Sequence, residues 1–479
     1  MLKSRRSERG QVDVLLTHSN HIFHDRKQVE KMQPYPPLAT LIAASVLRQH
    51  AVGVALCDIT FDAPEAKFDA DLARYAPPLV VVCEDDFNFL SKMCLGRNRE
   101  LAFLMARAAG ERGIPCGAHG SDASDHAREY LEAGFDYVLI GEVESTLAEL
   151  AAGRPEAEIA GLAYIGPHGR PCFNPPRALR TDLNSLPRPA WDLVDIGSYR
   201  NAWLAAHGFF SLNLVASRGC PYRCNWCAKP VWGDRYHVRA PRLVAEEMAQ
   251  VKREFQPDHL WFADDIFALS NQWTLQFADA VERLDALIPF KMQSRCDLMT
   301  GETVSALARA GCAEVWMGAE SGSQRILDAM EKGICVEQIY QARENLARHS
   351  IRANFFLQFG YPGEGWPEIE ATIRMVRETR PDDIGVSVSY PLPGTKFYQF
   401  VSAQLGPKAN WSESGDLAMM FRGAYSSELY RALADALHLE VRTPWKREAI
   451  GLAWDRVYEL EGMLIPSRDR EGTVGGARL

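Results

Sequence analysis

Three cysteines, Cys220, Cys224 and Cys227, stand at Cys-x3-Cys-x2-Cys spacing within residues 217–227, with Trp226 just before the third. Thiolates are soft ligands that select iron–sulfur clusters, zinc or Cu(I). Most four-iron cubanes take four cysteines. Three closely spaced cysteines leave one iron open to a small chelating ligand, which chemistry requires and electron storage does not. A zinc knuckle is the alternative, but it needs a fourth Cys or His at short spacing. The nearest candidate, His237, lies ten residues on. The spacing favours the cluster.

Such a loop must be delivered by a scaffold, and a β/α rhythm runs from Leu212 onward. Strand-like runs at 212–217, 259–263, 290–293, 314–318, 353–359 and 384–389 alternate with helical segments. Six such units predict a partial barrel over 212–399, open on one side, with functional residues at the strand C-termini. The polar groups Asp264-Asp265, Glu320-Ser321, Gly360-Tyr361 and Tyr390 all fall at those ends.

The cysteine triad with its aromatic resembles the signature of radical S-adenosylmethionine (SAM) enzymes. The resemblance implies a 4Fe-4S cluster on Cys220, Cys224 and Cys227 whose open iron chelates SAM, and reductive cleavage of SAM to a 5′-deoxyadenosyl radical. It places Trp226 on the adenine side of SAM and Asp264 and Asp265 near its amino group, where a carboxylate suits an ammonium. Of the two, Asp264 is expected to hold the ammonium and Asp265 to order the loop. Arg295 is implied for the SAM carboxylate, with an ordinary ion pair as the alternative. Glu320 and Ser321 match positions that bind ribose. Gln358, Gly360 and Tyr361 lie near the expected adenine and substrate region. Tyr390 and Cys296 are candidate catalytic hydrogen or proton donors near substrate. Cys296, Cys312 and Cys335 lack cluster spacing and otherwise read as structural.

Residues 1–150 also alternate strands and helices, which predicts a doubly wound parallel sheet. Several stretches are similar to the cobalamin-binding domain that precedes the barrel in one radical SAM class. Tyr35-Pro36-Pro37-Leu38 resembles its helix-opening motif, Gly120-Ser121 a loop at a strand end, and Gly141-Glu142-Val143-Glu144 its Gly-Glu turn. The resemblance implies cobalamin contacts from Tyr35, Pro37, Leu38, Gly120, Ser121, Gly141, Glu142 and Glu144. Glu84 and Asp85 end another strand and either cap the next helix or touch ligand. The Asp-x-His-x-x-Gly motif that supplies a cobalt-binding histidine is missing. His18, His21 and His24 stand in that place as a polar loop, so the corrin is expected to bind without a protein histidine on cobalt.

The remainder divides into a Gly- and Pro-rich linker at 151–211 holding a small hairpin, a helical region at 400–465 expected to pack on the barrel side, and a disordered tail at 466–479. The fold class is therefore α/β, with a flavodoxin-like sheet, a partial (β/α)6 barrel and a helical C-terminal region. A net charge of −9 without a basic run argues against nucleic acid. No apolar run is long enough to span a bilayer, no signal peptide is visible, and eleven scattered cysteines do not suggest a disulfide framework. These features predict a cytoplasmic enzyme acting on a small molecule, with an electron donor such as flavodoxin or ferredoxin. The first expectation is a cobalamin-dependent methyltransferase. The alternatives are a cyclase or oxidoreductase that transfers no methyl group, and a non-catalytic cluster or cobalamin sensor.

Overall fold

Short apolar runs, punctuated by Gly and Pro, form parallel strands in a computed structural model that describes residues 11–93, 96–229, 231–406 and 410–462. The first sheet contains β1 (Val14–Thr17), β2 (Val54–Cys57), β3 (Leu79–Cys83), β4 (Cys116–His119), β5 (Tyr137–Leu139), β6 (Leu162–Ile165) and β7 (Pro171–Phe173), in the order β2-β1-β3-β4-β5-β6-β7. Its first five strands are parallel in the flavodoxin order. All five residues of β3 are buried, as helices on both faces require.

The linker expectation is corrected here. Strands β6 and β7 continue the sheet antiparallel from β5, with Leu139 opposite Leu162. The hairpin covers an edge that would otherwise present unpaired backbone groups. The N-terminal unit therefore runs to Phe173. The expected tail at 466–479 lies outside the described residues.

The second sheet is parallel and six-stranded, ordered β15-β14-β13-β12-β11-β8. It comprises β8 (Ser211–Leu214), β11 (His259–Phe262), β12 (Phe290–Ser294), β13 (Cys312–Glu320), β14 (Arg352–Phe359) and β15 (Asp383–Val388). A two-stranded ribbon, β9 (Ser217–Arg218) with β10 (His237–Val238), follows β8 and flanks the cysteine loop. Side chains alternate along each strand. Leu260, Phe262, Phe290, Met292, Val315, Met317, Phe355 and Leu357 join one hydrophobic core. Their neighbours on the opposite face include Trp261, Gln293, Trp316, Asn354 and Phe356.

The two units share that core through Leu38, Phe87, Trp191, Trp203 and Trp232. The helix Ser427–Arg442 packs on the barrel side as expected, burying Tyr430, Leu433 and Leu437, while Arg442 Nε meets Asp383 Oδ1 at 2.8 Å. The preceding segment does more. Trp411 stands edge-on to Tyr390 at 4.9 Å and its carbonyl accepts from Gly96 N. Ser414 N donates to Asp25 Oδ2 at 2.6 Å. This strap ties the end of β15 to the N-terminal unit. Among the described residues no helix is long and apolar enough to cross a membrane.

Candidate functional site

The cysteine loop is held from several sides. Gly219 has φ +77°, and a Cβ there would lie 2.2 Å from the Arg235 carbonyl oxygen, so only glycine fits. Asn225 staples the loop to the barrel: its backbone N donates to Met330 O, its Nδ2 to Ala329 O at 2.7 Å, and its carbonyl accepts from Phe397 N. Tyr361 OH donates to Asn225 Oδ1 at 3.0 Å. All three cysteines are free and partly exposed. Among the described residues no three His, Cys, Asp or Glu side chains gather as they would around a single ion.

Cations surround the thiols. Arg295 Nη1 is 3.9 Å from Cys224 Sγ, with the guanidinium stacked 3.7 Å above the Tyr222 ring and paired to Asp297 at 2.9 Å. Lys229 binds the Tyr222 carbonyl and Asp234. Lys332 lies over the Trp226 ring and meets Glu320 at 2.7 Å. Lys92, from the N-terminal unit, pairs with Asp265 at 2.8 Å. Burial pushes the Cys227 thiol up to about 12, with Lys229 and Lys92 opposing it. A set of thiols ringed by cations suits an anionic thiolate-ligated group.

The two aspartates have different surroundings. Asp264 is fully buried and accepts from Ala216 N at 3.1 Å and from Ser217 Oγ, fixing the chain that enters the loop. Burial pushes its carboxyl up to about 7. Asp265 gives one oxygen to Lys92, and its buried Oδ2 has no hydrogen-bond partner among the described residues. Asp265 is thus the carboxylate with an oxygen to spare beside the cysteines.

Opposite the loop lies the C-terminal rim of the first sheet. Arg218, two residues before Cys220, reaches across it: Nη1 meets Glu142 Oε1 at 2.8 Å and Nη2 meets Glu144 Oε1, all three side chains being buried. Phe87 stacks on Trp232 with ring centroids 4.9 Å apart. Glu84 accepts from Ser19 N and Oγ. Asp85 caps the helix Leu38–Gln49 by accepting from Ala39 N at 3.0 Å, and burial pushes its carboxyl up to about 7. Ser121 Oγ and Asp86 Oδ1 are buried without partners among the described residues. Gly120, at φ +143°, closes against Glu84, where an added Cβ would come within 2.9 Å.

His119 ends β4 with an acceptor at each ring nitrogen, Leu139 O at 3.1 Å and Asp86 Oδ2 at 2.7 Å. Burial opposes its charge, but the Asp86 carboxylate, the Leu139 carbonyl and Glu144 together outweigh it and the pKa rises above the ordinary histidine value. A raised folded-state pKa contributes stability that is complete below the unfolded value and fades as pH rises through the folded one. His119→Gln should therefore cost more stability near about pH 6 than near about pH 9 in paired urea titrations. An equal cost at both would show that the ring is neutral when folded.

The pattern of three cysteines at the C-terminal end of a parallel six-stranded barrel matches a known family over its central part: residues 214–376 fit the Radical SAM superfamily. The barrel is a radical SAM domain. A methyltransferase of Pyrococcus horikoshii, itself uncharacterized, is 29% identical over 273 residues, covering 56% of this chain and 58% of that one. An anaerobic magnesium-protoporphyrin IX monomethyl ester cyclase of Rubrivivax gelatinosus is 25% identical over 287 residues, covering 57% and 49%. This chain thus spans about half the length of these relatives. In fold it is similar to the radical SAM methyltransferase TsrM of Kitasatospora setae, solved with cobalamin and a [4Fe-4S] cluster bound, with a TM-score of 0.68 at 20% identity over 81% of this chain and 77% of that one.

Within the radical SAM domain the remaining candidates separate. Glu320, at φ +57°, and Lys332 form a buried pair above β13. Ser321 is tied to Thr372 Oγ1 and Ser323 N, and Gln358 to Ser389 Oγ. Gly360, at φ +74°, donates its N–H to Glu364, and Tyr361 stacks on Phe397 at 5.3 Å. Tyr361 thus serves the loop through Asn225. Tyr390 donates to Asn410. Cys296 is buried, its thiol pushed up to about 12 by burial and facing the Gly318 carbonyl.

On the N-terminal side, Glu84, Asp85, Gly120, Ser121, Gly141, Glu142 and Glu144 gather on the rim, and Pro37 and Leu38 open the helix that Asp85 caps there, whereas Tyr35 turns away. Tyr35 OH bonds Ser211 Oγ, at the start of β8 and so at the far end of the barrel, between Trp203 and Trp261. Leu38 is a core residue and Pro37 opens its helix. His18 Nε2 is held by Asp58 and His21 Nε2 by the Asp62 carbonyl. Sequence reasoning missed Lys92, Arg218, Lys229 and Lys332. The position of Arg218, beside the first cysteine, was its only signal.

Proposed function

We propose that the protein is a cobalamin-dependent radical SAM enzyme that transfers a methyl group to a carbon centre of a small molecule. The observation that carries this reading is the bridge from Arg218 to Glu142 and Glu144, which sets the cysteine loop against the C-terminal rim of the flavodoxin-like sheet. Ligands of such sheets bind at that rim. When bound, a cluster with an open iron supplies the electron that cleaves SAM, and a corrin supplies the carrier for the methyl group.

The chain's own residues do the rest. Cys220, Cys224 and Cys227 would hold the cluster, and Oδ2 of Asp265, unpartnered among the described residues, would accept a hydrogen bond from the SAM ammonium. Arg295, beside Cys224, and Lys332 would offer positive charge to the SAM carboxylate. Ser121 Oγ and Asp86 Oδ1, buried and unpartnered among the described residues, would offer hydrogen bonds to a corrin on the rim. The missing Asp-x-His-x-x-Gly motif supports binding without a protein histidine on cobalt; His18 and His21 have their Nε2 atoms bonded to Asp58 and the Asp62 carbonyl, while Nδ1 of His18, His21 and His24 has no partner among the described residues. A low-potential electron donor such as flavodoxin or ferredoxin completes the reaction.

Anaerobic incubation with SAM, cobalamin and reductant tests the reading. Deoxyadenosine together with S-adenosylhomocysteine supports methyl transfer, and deoxyadenosine alone supports the cyclase or oxidoreductase alternative. The aspartates give a second check. Asp265→Asn should weaken SAM binding by about 2–5 kcal/mol with the cluster intact. Asp264→Asn should instead lower stability by about 1–3 kcal/mol through its lost acceptor. Equal losses of SAM affinity in both would contradict this division.

A further inference from the structure

Phe356 lies in the middle of β14, between β13 and β15, yet is 37% exposed. Parallel sheets ordinarily have both faces covered. On the concave face here Phe356 is exposed and Trp316 half-buried, and together they make a shaped apolar surface. Trp316 and Phe356 lie with centroids 5.0 Å apart and planes 30° from parallel. Gly385 sits opposite Phe356 in the register, and a Cβ there would come within 3.2 Å of Phe356 and 3.4 Å of Trp316. The absent side chain lets the two rings settle against β15. Trp316 is fixed from below: its Nε1 donates to Glu314 Oε1 at 2.6 Å, and Glu314 pairs with Arg352 at 3.1 Å. The rings form a rigid shelf.

Beside the shelf is an amide with nothing to bind. Asn354 pairs in register with Trp316 on one side and Asp383 on the other, and alternation puts it on the same face as Phe356. It is 0% exposed, and neither Nδ2 nor Oδ1 has a hydrogen-bond partner among the described residues. A buried amide left this way is costly. Its complement is a group offering one acceptor and one donor side by side.

Resting on the reading of this barrel as a SAM-cleaving domain, we propose that its concave face takes a flat heteroaromatic substrate, stacked on Trp316 and Phe356, with an adjacent N–H and C=O edge paired to Asn354. The apolar shelf favours a neutral ring. Gln293, level with Trp316, and Gln358, two residues beyond Phe356, have their Nε2 groups committed to Asp264 O and Ser389 Oγ, so Asn354, with neither end of its amide partnered among the described residues, selects the edge.

The test uses 2-quinolinone, a planar bicycle with that edge, and naphthalene, which lacks it, each titrated calorimetrically into the reconstituted full-length protein. Quinolinone should bind and naphthalene should bind at least about tenfold more weakly. Phe356→Ala and Asn354→Leu should each weaken quinolinone by about tenfold or more. Asn354→Leu also has a stability readout: removing an unpartnered amide should leave the melting temperature equal or higher, so lost binding is not lost folding. Wild type that ignores quinolinone, or variants that bind it unchanged, would overturn the proposal. Deoxyadenosine formation by wild type without substrate is scored separately. Cleavage without quinolinone binding defeats only this inference, and binding without cleavage defeats only the reading of the domain.

Discussion

Arg218→Ala is expected to destabilise the protein by about 3–5 kcal/mol, the cost of leaving buried charges without their partner. Arg218 joins Glu142 and Glu144 where all three are buried, so its loss strands two carboxylates at the junction of the two sheets. The destabilisation should appear as a lower urea midpoint and as separate unfolding of the N-terminal unit. Replacing all three, with Arg218→Met, Glu142→Gln and Glu144→Gln, should recover most of the loss, because the desolvation cost disappears with the charges. A cost below about 1 kcal/mol for Arg218→Ala would mean that water reaches this junction.

Ala at Cys220, Cys224 and Cys227 together should abolish both the cluster's visible absorption and all cleavage of SAM. No other described cysteines stand in the loop: Cys57, Cys83 and Cys116 are buried in the first unit, and Cys296 and Cys312 in the second. Cys172→Ala, on the β7 hairpin, should keep both properties. SAM cleavage by the triple variant would remove the central assignment.

Much of this was legible in the sequence for a physical reason. Strand residues such as Leu260, Phe262, Phe355 and Leu357 must be apolar to meet the helices, so the rhythm of the barrel is written in composition. The three cysteines carry their chemistry in their spacing. Pairings between distant residues leave no such trace. Lys92 and Asp265 are 173 residues apart, and Arg218 and Glu142 are 76 apart. Tyr35 was misplaced because a local motif does not say which end of a barrel it will reach. Adjacent Asp264 and Asp265 look alike in sequence, and only their partners in space distinguish them, Ala216 N and Ser217 Oγ for one and Lys92 for the other. The hairpin at 162–173 read as linker because its hydrogen-bonding partner, β5, precedes it by more than twenty residues.

The most direct test of the face-to-face arrangement is the electron spin relaxation of Co(II) corrin in protein carrying the cluster. With the cluster reduced and paramagnetic, the Co(II) signal should relax faster than in the triple cysteine variant. Identical relaxation in the two proteins would contradict the account, because a corrin on the rim opposite Cys220, Cys224 and Cys227 cannot be magnetically blind to them.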